Sequence, residues 1–219
     1  MTELERGFSV ITECCSVSEC DTIIAELAPI TTVGTRCLLD HAWCQTLASN
    51  LRDRVGTTIP AIHALTAVQC TYFTKSPERN WLVAYHQDRS IPIASSVEHQ
   101  ALPGWSQKEG MTFVLGPDEL LAQMIAIRLH LDDCTSDSGP LRVIPDSHRV
   151  GTMSPHMITA ALDTSDDQEL LVDKGGIIAM RPLLLHASSK SRTMAHRRVL
   201  HFLFGPRALP TGLQWRCSV

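Results

Sequence analysis

His86 and Asp88 stand two residues apart, directly after the apolar run Trp81 to Tyr85, and a third residue able to bind a metal, His186, ends a second apolar run that begins at Gly176. Two imidazoles and one carboxylate form the ligand set that holds non-haem Fe(II) on one face and leaves the other face open to O2 and a co-substrate. Side chains alternate along a strand, so residues two apart project the same way, and His86 and Asp88 can share one ion. The run Gly176 to His186 reads as a later strand packed opposite the first, with His186 closing the triad. These residues predict iron-dependent oxidation.

A His-x-Asp triplet arises easily by chance in a chain with 10 histidines and 23 acidic residues, and its plain reading is a strand-end histidine beside a solvated aspartate. What singles this one out is its position where a rigid strand meets a loop. The other histidines lack that combination. His63, His99 and His156 sit in polar, turn-like stretches; His148 and His196 adjoin arginines and read as surface or supporting groups; His41 opens a predicted helix. His130 and His201 lie inside strand-like runs and are expected in the core, packed or hydrogen-bonded.

The elements that must position these groups change period along the chain. Ile23, Ile24 and Leu27, then Leu38, Leu39, Trp43, Leu47 and Leu51, recur every three or four residues and predict helices with one buried stripe over residues 1–65. Beyond them, the short runs 67–73, 81–85, 111–115, 124–131, 141–144, 176–180 and 199–204 are separated by Gly, Pro, Asp and Ser. Many short strands after a helical block predict a two-sheet barrel with helices over one sheet. By strand parity, Asn80, Leu82 and Ala84 are expected to line the same pocket as His86, with Asn80 placed either to bond a ligand or to cap a turn. Residues 89–110 read as one long irregular segment beside the site, a lid or substrate wall anchored by Trp105.

A chain of 219 residues with 44% apolar content is within the range of one domain, 1–219. No run of eighteen apolar residues indicates a membrane span, and the first twenty residues, carrying Glu3, Glu5, Arg6 and Glu13, do not resemble a secretory signal, which predicts a cytoplasmic protein. Eight cysteines without paired C-x-x-C spacing argue against a zinc ribbon and for free thiols. A net charge of −4 offers no basic stripe for nucleic acid.

Asn80 to Asp88, Arg128 to Asp133, Gly139 to Arg149, and His186 followed by Arg197 and Arg198 resemble, in order and spacing, the phytanoyl-CoA dioxygenase family of Fe(II)/2-oxoglutarate oxygenases. The resemblance is clear over residues 70–205 or so and weaker in the helical start. It implies a double-stranded β-helix, a cupin-like jelly roll over residues 66–219 covered on one sheet by the N-terminal helices. It also implies His86, Asp88 and His186 as iron ligands, and Arg197, eleven residues past the distal histidine, as the guanidinium that grips the distal carboxylate of 2-oxoglutarate. Ser188 is implied beside that carboxylate. Neighbouring strand residues face opposite sides, so only one of Arg197 and Arg198 enters the site, and spacing favours Arg197. Asp146 stands where many relatives have glycine, a departure that aspartate tolerates in a left-handed turn.

The implied reaction consumes 2-oxoglutarate and O2, releases succinate and CO2, and hydroxylates, desaturates or cyclises a small organic metabolite. Relatives that halogenate replace the aspartate by a small residue, so Asp88 disfavours halogenation. Two other classes stay open at this stage: a cupin-like metalloenzyme that does not use 2-oxoglutarate, and a non-catalytic or partner subunit of the same fold. The chain is shorter than many relatives, which leaves room for a homo- or hetero-oligomer that completes the pocket.

Overall fold

Two sheets face each other across the chain. The structure is a computed structural model describing residues 4–30, 34–94, 102–209 and 212–219. The larger sheet has five strands: β1 (Phe8–Ile11), β2 (Leu65–Lys75), β7 (Ile125–His130), β10 (Ile177–Met180) and β12 (Arg197–Pro206), in the order β1-β10-β7-β12-β2. The smaller has four: β3 (Val83–His86), β8 (Leu141–Val143), β9 (Gln168–Leu170) and β11 (His186–Ser188), in the order β3-β11-β8-β9. Every pairing is antiparallel. This is the predicted mainly-β jelly roll.

Strand alternation splits the larger sheet into two apolar faces. Ile127, Leu129, Ala179, Leu200 and Phe202 face outward against helices α1 (Val17–Leu27) and α2 (Ala42–Gly56). Ala126, Ile178, Met180 and Leu203 face inward against Leu141, Val143 and Leu170 of the smaller sheet. Helix α1 starts where the sequence permits, at a capping box in which Ser16 and Glu19 satisfy each other's backbone amides. Glu19 also reaches Arg54 of α2 at 2.6 Å, tying the two covering helices together. Among the described residues no helix is long and apolar enough to cross a membrane.

Three features differ from the sequence expectation. The helical start also contains β1, which forms an edge of the larger sheet. The segment 89–110 is not wholly irregular, because β4 (Ser90–Ile93) and β5 (Ser106–Lys108) flank β6 (Met111–Leu115) in a third sheet, with Ile91 fully buried and Trp105 packed on the inner core. The part of that segment spanning 95–101, with His99, lies outside the described residues. The run Gly176 to His186 is two strands in different sheets: β10 ends at Met180, the chain turns through Arg181 to Leu184, and β11 begins at His186. Pro182 cannot donate to a ladder, which is why a single strand fails there. His186 therefore lies on a neighbouring strand of β3 rather than on an opposing one.

Candidate active site

Antiparallel pairing of β3 and β11 puts His86 directly across from His186, with ring centroids 4.2 Å apart. Asp88 turns back between them: Oδ1 is 3.6 Å from His86 Nε2, and Oδ2 is 3.6 Å from His186 Nε2. One donor atom from each of the three residues lies within 4.8 Å of the other two. Each ring rests its Nδ1 on the carbonyl two residues before it, Ala84 at 2.9 Å and Leu184 at 2.8 Å, which fixes the orientation and turns Nε2 toward the shared gap. Gln87, between His86 and Asp88, donates to the carbonyls of Gly151 and Leu183 and accepts from the Met153 amide, so the backbone under the pincer is held from both sides.

The electrostatics suit a cation. Burial alone would raise the Asp88 carboxyl, but His186, His86 and His201 around it hold it well below the usual carboxylate range. Burial pushes His186 down to about 4 despite Asp88, so its ring is neutral near pH 7 and offers a lone pair. Burial would also lower His86, but the adjoining Asp88 raises it. Two neutral-capable imidazoles and one ionised carboxylate on one side of a cavity fit a non-haem iron.

That cavity has a volume of about 370 Å³. Its inner wall carries three buried cations, Lys75, Arg128 and Arg197, exposed by only 1%, 7% and 4%. Lys75 and Arg197 are cross-strand partners on β2 and β12. Lys75 Nζ donates to Ser188 Oγ at 2.8 Å and to the Ser189 carbonyl, while Arg197 Nη1 donates to the Gly139 carbonyl at 2.6 Å and its Nε has no partner. Ser188 Oγ reaches the same Gly139 carbonyl at 2.9 Å. Among the described residues no carboxylate lies within 4.0 Å of any of the three cations. Like charges directly opposite in a ladder repel, so this corner is built for an anion.

Arg198 takes the other face of β12, where it forms a two-pronged pair with Asp132 at 2.6 and 2.8 Å and leaves the cavity to Arg197. Asn80 is not among the residues lining the cavity: its amide both donates to and accepts from the Ser191 backbone at 2.7 Å, clasping the segment after β11. Leu82 is 62% exposed, and Trp81 and Val83 line the cavity instead. The cause is a bulge. His86 pairs with His186, but Val83 pairs with Ser188, so three steps on β3 match two on β11, and the face alternation slips between the pincer and the residues before it. Asp146 does adopt the left-handed conformation, with φ of 66°.

Among the cavity residues that sequence reading missed are Lys75, Arg128 and His201. His201 lies in a strand, as expected, but faces inward. Its Nδ1 lies 3.0 Å from Arg128 Nη1 and its Nε2 3.7 Å from Asp88 Oδ2. The signal that was available is Arg128 itself, a charge inside the otherwise apolar run Ile125 to Leu131, since such a residue is buried only when something pairs with it.

Comparison with curated proteins finds no match. Among solved structures, the chain is similar to the non-heme alpha ketoglutarate dependent epimerase SnoN from nogalamycin biosynthesis, with 13% identity, a TM-score of 0.67, and 96% of this chain and 84% of that one covered. The carbocyclase SnoK of the same biosynthesis has 14% identity and a TM-score of 0.59, over 93% and 81% of the two chains. HygX from Streptomyces hygroscopicus, crystallised with nickel and 2-oxoglutarate, has 16% identity and a TM-score of 0.62, over 92% and 84%. At these identities the likeness establishes the fold. The phytanoyl-CoA dioxygenase (PhyH) model matches residues 4–199, from the covering helices through the pincer and into β12. The chain that builds this jelly roll and its His-Asp-His pincer thus belongs to the phytanoyl-CoA dioxygenase family.

Proposed function

We propose that this protein is an Fe(II)/2-oxoglutarate-dependent dioxygenase that hydroxylates, desaturates or cyclises a small organic metabolite. In this reading His86, Asp88 and His186 hold the iron. Arg197, Lys75 and Ser188 bind the distal carboxylate of 2-oxoglutarate. The observation that carries the reading is one cavity joining a three-ligand metal pincer to a Lys75/Arg197 pair without a carboxylate partner. A guanidinium fork offers two parallel donors to a carboxylate, the Lys75 ammonium has a third proton beyond those given to Ser188 and Ser189, and the Ser188 hydroxyl joins them by turning its proton from the Gly139 carbonyl.

The bound iron supplies the oxidising chemistry, driven by O2 and by decarboxylation of the keto acid to succinate. The chain contributes position and dryness. Nδ1 anchors keep both rings aimed, Gln87 keeps the backbone beneath them rigid, and the cation pair fixes the far end of the co-substrate so that its keto acid end reaches the metal. Trp81, Val83, Phe73 and Phe113 supply an apolar wall for the substrate. The reading is tested by soaking Mn(II) and 2-oxoglutarate into crystals and by assaying succinate with Fe(II) and ascorbate. Density for the metal away from His86, Asp88 and His186, or a co-substrate away from Arg197, would refute it.

A further inference from the structure

Arg128 has a different setting from the other two cavity cations. It pairs across the ladder with His201, four residues along β12 from Arg197, a distance of about 13 Å at the usual strand rise. A guanidinium only donates, so the 3.0 Å contact makes His201 Nδ1 the acceptor and puts the ring proton on Nε2, toward Asp88. The guanidinium also lies 5.7 Å from the Phe73 ring centroid, and its Nε is buried without a partner. It is therefore clamped on two sides, with donor capacity left unmatched in a side chain that lines the cavity. Arg89 and Lys108 add positive charge to the same lining.

The charges do not balance without a second anion. On the proposed function, one carboxylate of 2-oxoglutarate meets Lys75 and Arg197, and the other, with Asp88, offsets iron. Both ends of the co-substrate are then engaged and Arg128 still lacks a counter-charge. Burying an unmatched guanidinium is costly, and such a cation in an enzyme cavity suits an anionic ligand. We propose that Arg128, positioned by His201, binds a carboxylate of the primary substrate, so that this enzyme acts on an organic acid. The proposal rests on the co-substrate reading above for the assignment of Lys75 and Arg197.

The test loads the full chain with Zn(II) and N-oxalylglycine, an inert mimic that fills the co-substrate position. It then titrates short- and medium-chain fatty acids, phenylacetate and 3-phenylpropionate, each against its primary amide, by calorimetry. The wild type is expected to bind at least one acid about tenfold or more tighter than its amide, the worth of a charge-assisted hydrogen bond. R128M should reduce that preference to about threefold or less, and R128K, which keeps the charge and guards against misfolding, should retain part of it. A wild type that prefers no acid, or a preference that survives R128M, overturns the proposal. Anaerobic titration of the Fe(II) protein with 2-oxoglutarate, followed by its visible charge-transfer band, separates the two sources of carboxylate. Loss of the band in R128M would assign Arg128 to the co-substrate and overturn the proposal. Absence of the band in the wild type would instead overturn the co-substrate reading, while a preference for acid over amide in the Zn(II) protein would still stand.

Discussion

Replacing Lys75 by methionine should weaken co-substrate binding while leaving the ligand-free fold nearly as stable as before. Lys75 and Arg197 are paired across β2 and β12 and both are buried. With an effective dielectric of about 20 and a separation of about 6 Å, their repulsion amounts to about 3 kcal/mol when both are charged. Burial, with Arg197 and Arg128 nearby, pushes the Lys75 ammonium down to about 7. Methionine fills a similar volume and removes the repulsion, but forfeits the bonds to Ser188 and Ser189, worth about 1–3 kcal/mol together. The two changes roughly cancel, so urea unfolding at pH 7 should place ligand-free K75M within about 1 kcal/mol of the wild type. In contrast, its Kd for 2-oxoglutarate in the anaerobic Fe(II) titration should rise about 10- to 100-fold, the loss of one charged donor. The pH dependence has a definite sign. The folded value lies below the unfolded one, so the unfolded chain binds more protons between about 7 and 10.5, and ligand-free stability from this group rises with pH across that window. Co-substrate binding needs the charged amine, so wild-type affinity should fall above pH 7, at a slope approaching tenfold per unit, and K75M should lack both trends. Unchanged 2-oxoglutarate affinity in K75M, or a loss of several kcal/mol in its ligand-free stability, would make the lysine a structural tie and refute the reasoning.

Asp88→Ala should abolish succinate formation and weaken iron binding by more than the ~100-fold typical of removing a mere supporting group, as read by metal titration; full oxidative turnover would show the ligand assignment to be wrong. Arg198→Met should leave the 2-oxoglutarate Kd within about threefold of wild type and cost about 1 kcal/mol of stability through the lost Asp132 pair, whereas Arg197→Met should reverse that pattern. Gln87→Ala strands two carbonyls and an amide, and should destabilise by about 2–4 kcal/mol in urea unfolding. Gly139→Ala drives a Cβ into the Ser189 carbonyl at a φ of 68°, and should cost about 1–3 kcal/mol while raising the KM for 2-oxoglutarate.

The sequence made the pincer legible because His86 and Asp88 are local and lie beyond the bulge, and because Asp88 needs no register to be recognised beside His86. Alternation made it legible that only one of Arg197 and Arg198 faces the cavity, since β12 runs without a slip from Arg197 to Leu203, and the spacing from His186 favoured Arg197. Alternation failed at Leu82 and Ala84 because an extra residue in one strand of a pair reverses facing, and nothing in the run Trp81 to Tyr85 marks it. Lys75 was hidden for another reason: a lysine at the end of a strand ordinarily reaches into water, and only its pairing with Arg197 and its closure under Ser188 bury it. The β10–β11 break could have been read from Pro182. The helix Pro155–Thr164 went unread although its start was legible, with Ser154 capping the Met157 amide and Pro155 in the first turn.

The one-residue slip between β3 and β11 divides a single strand into two parts with separate tasks. The segment carrying His86 keeps its phase relative to β11, and the segment bearing Trp81 and Val83 keeps a different one, so exchange of the side chains at positions 81 and 83 is expected to leave the His86 ring in place. On the proposed function, the wall that faces the substrate and the residues that hold the iron occupy adjacent stretches out of phase with each other, and a library randomised at those two positions is expected to alter substrate scope while leaving metal affinity in place.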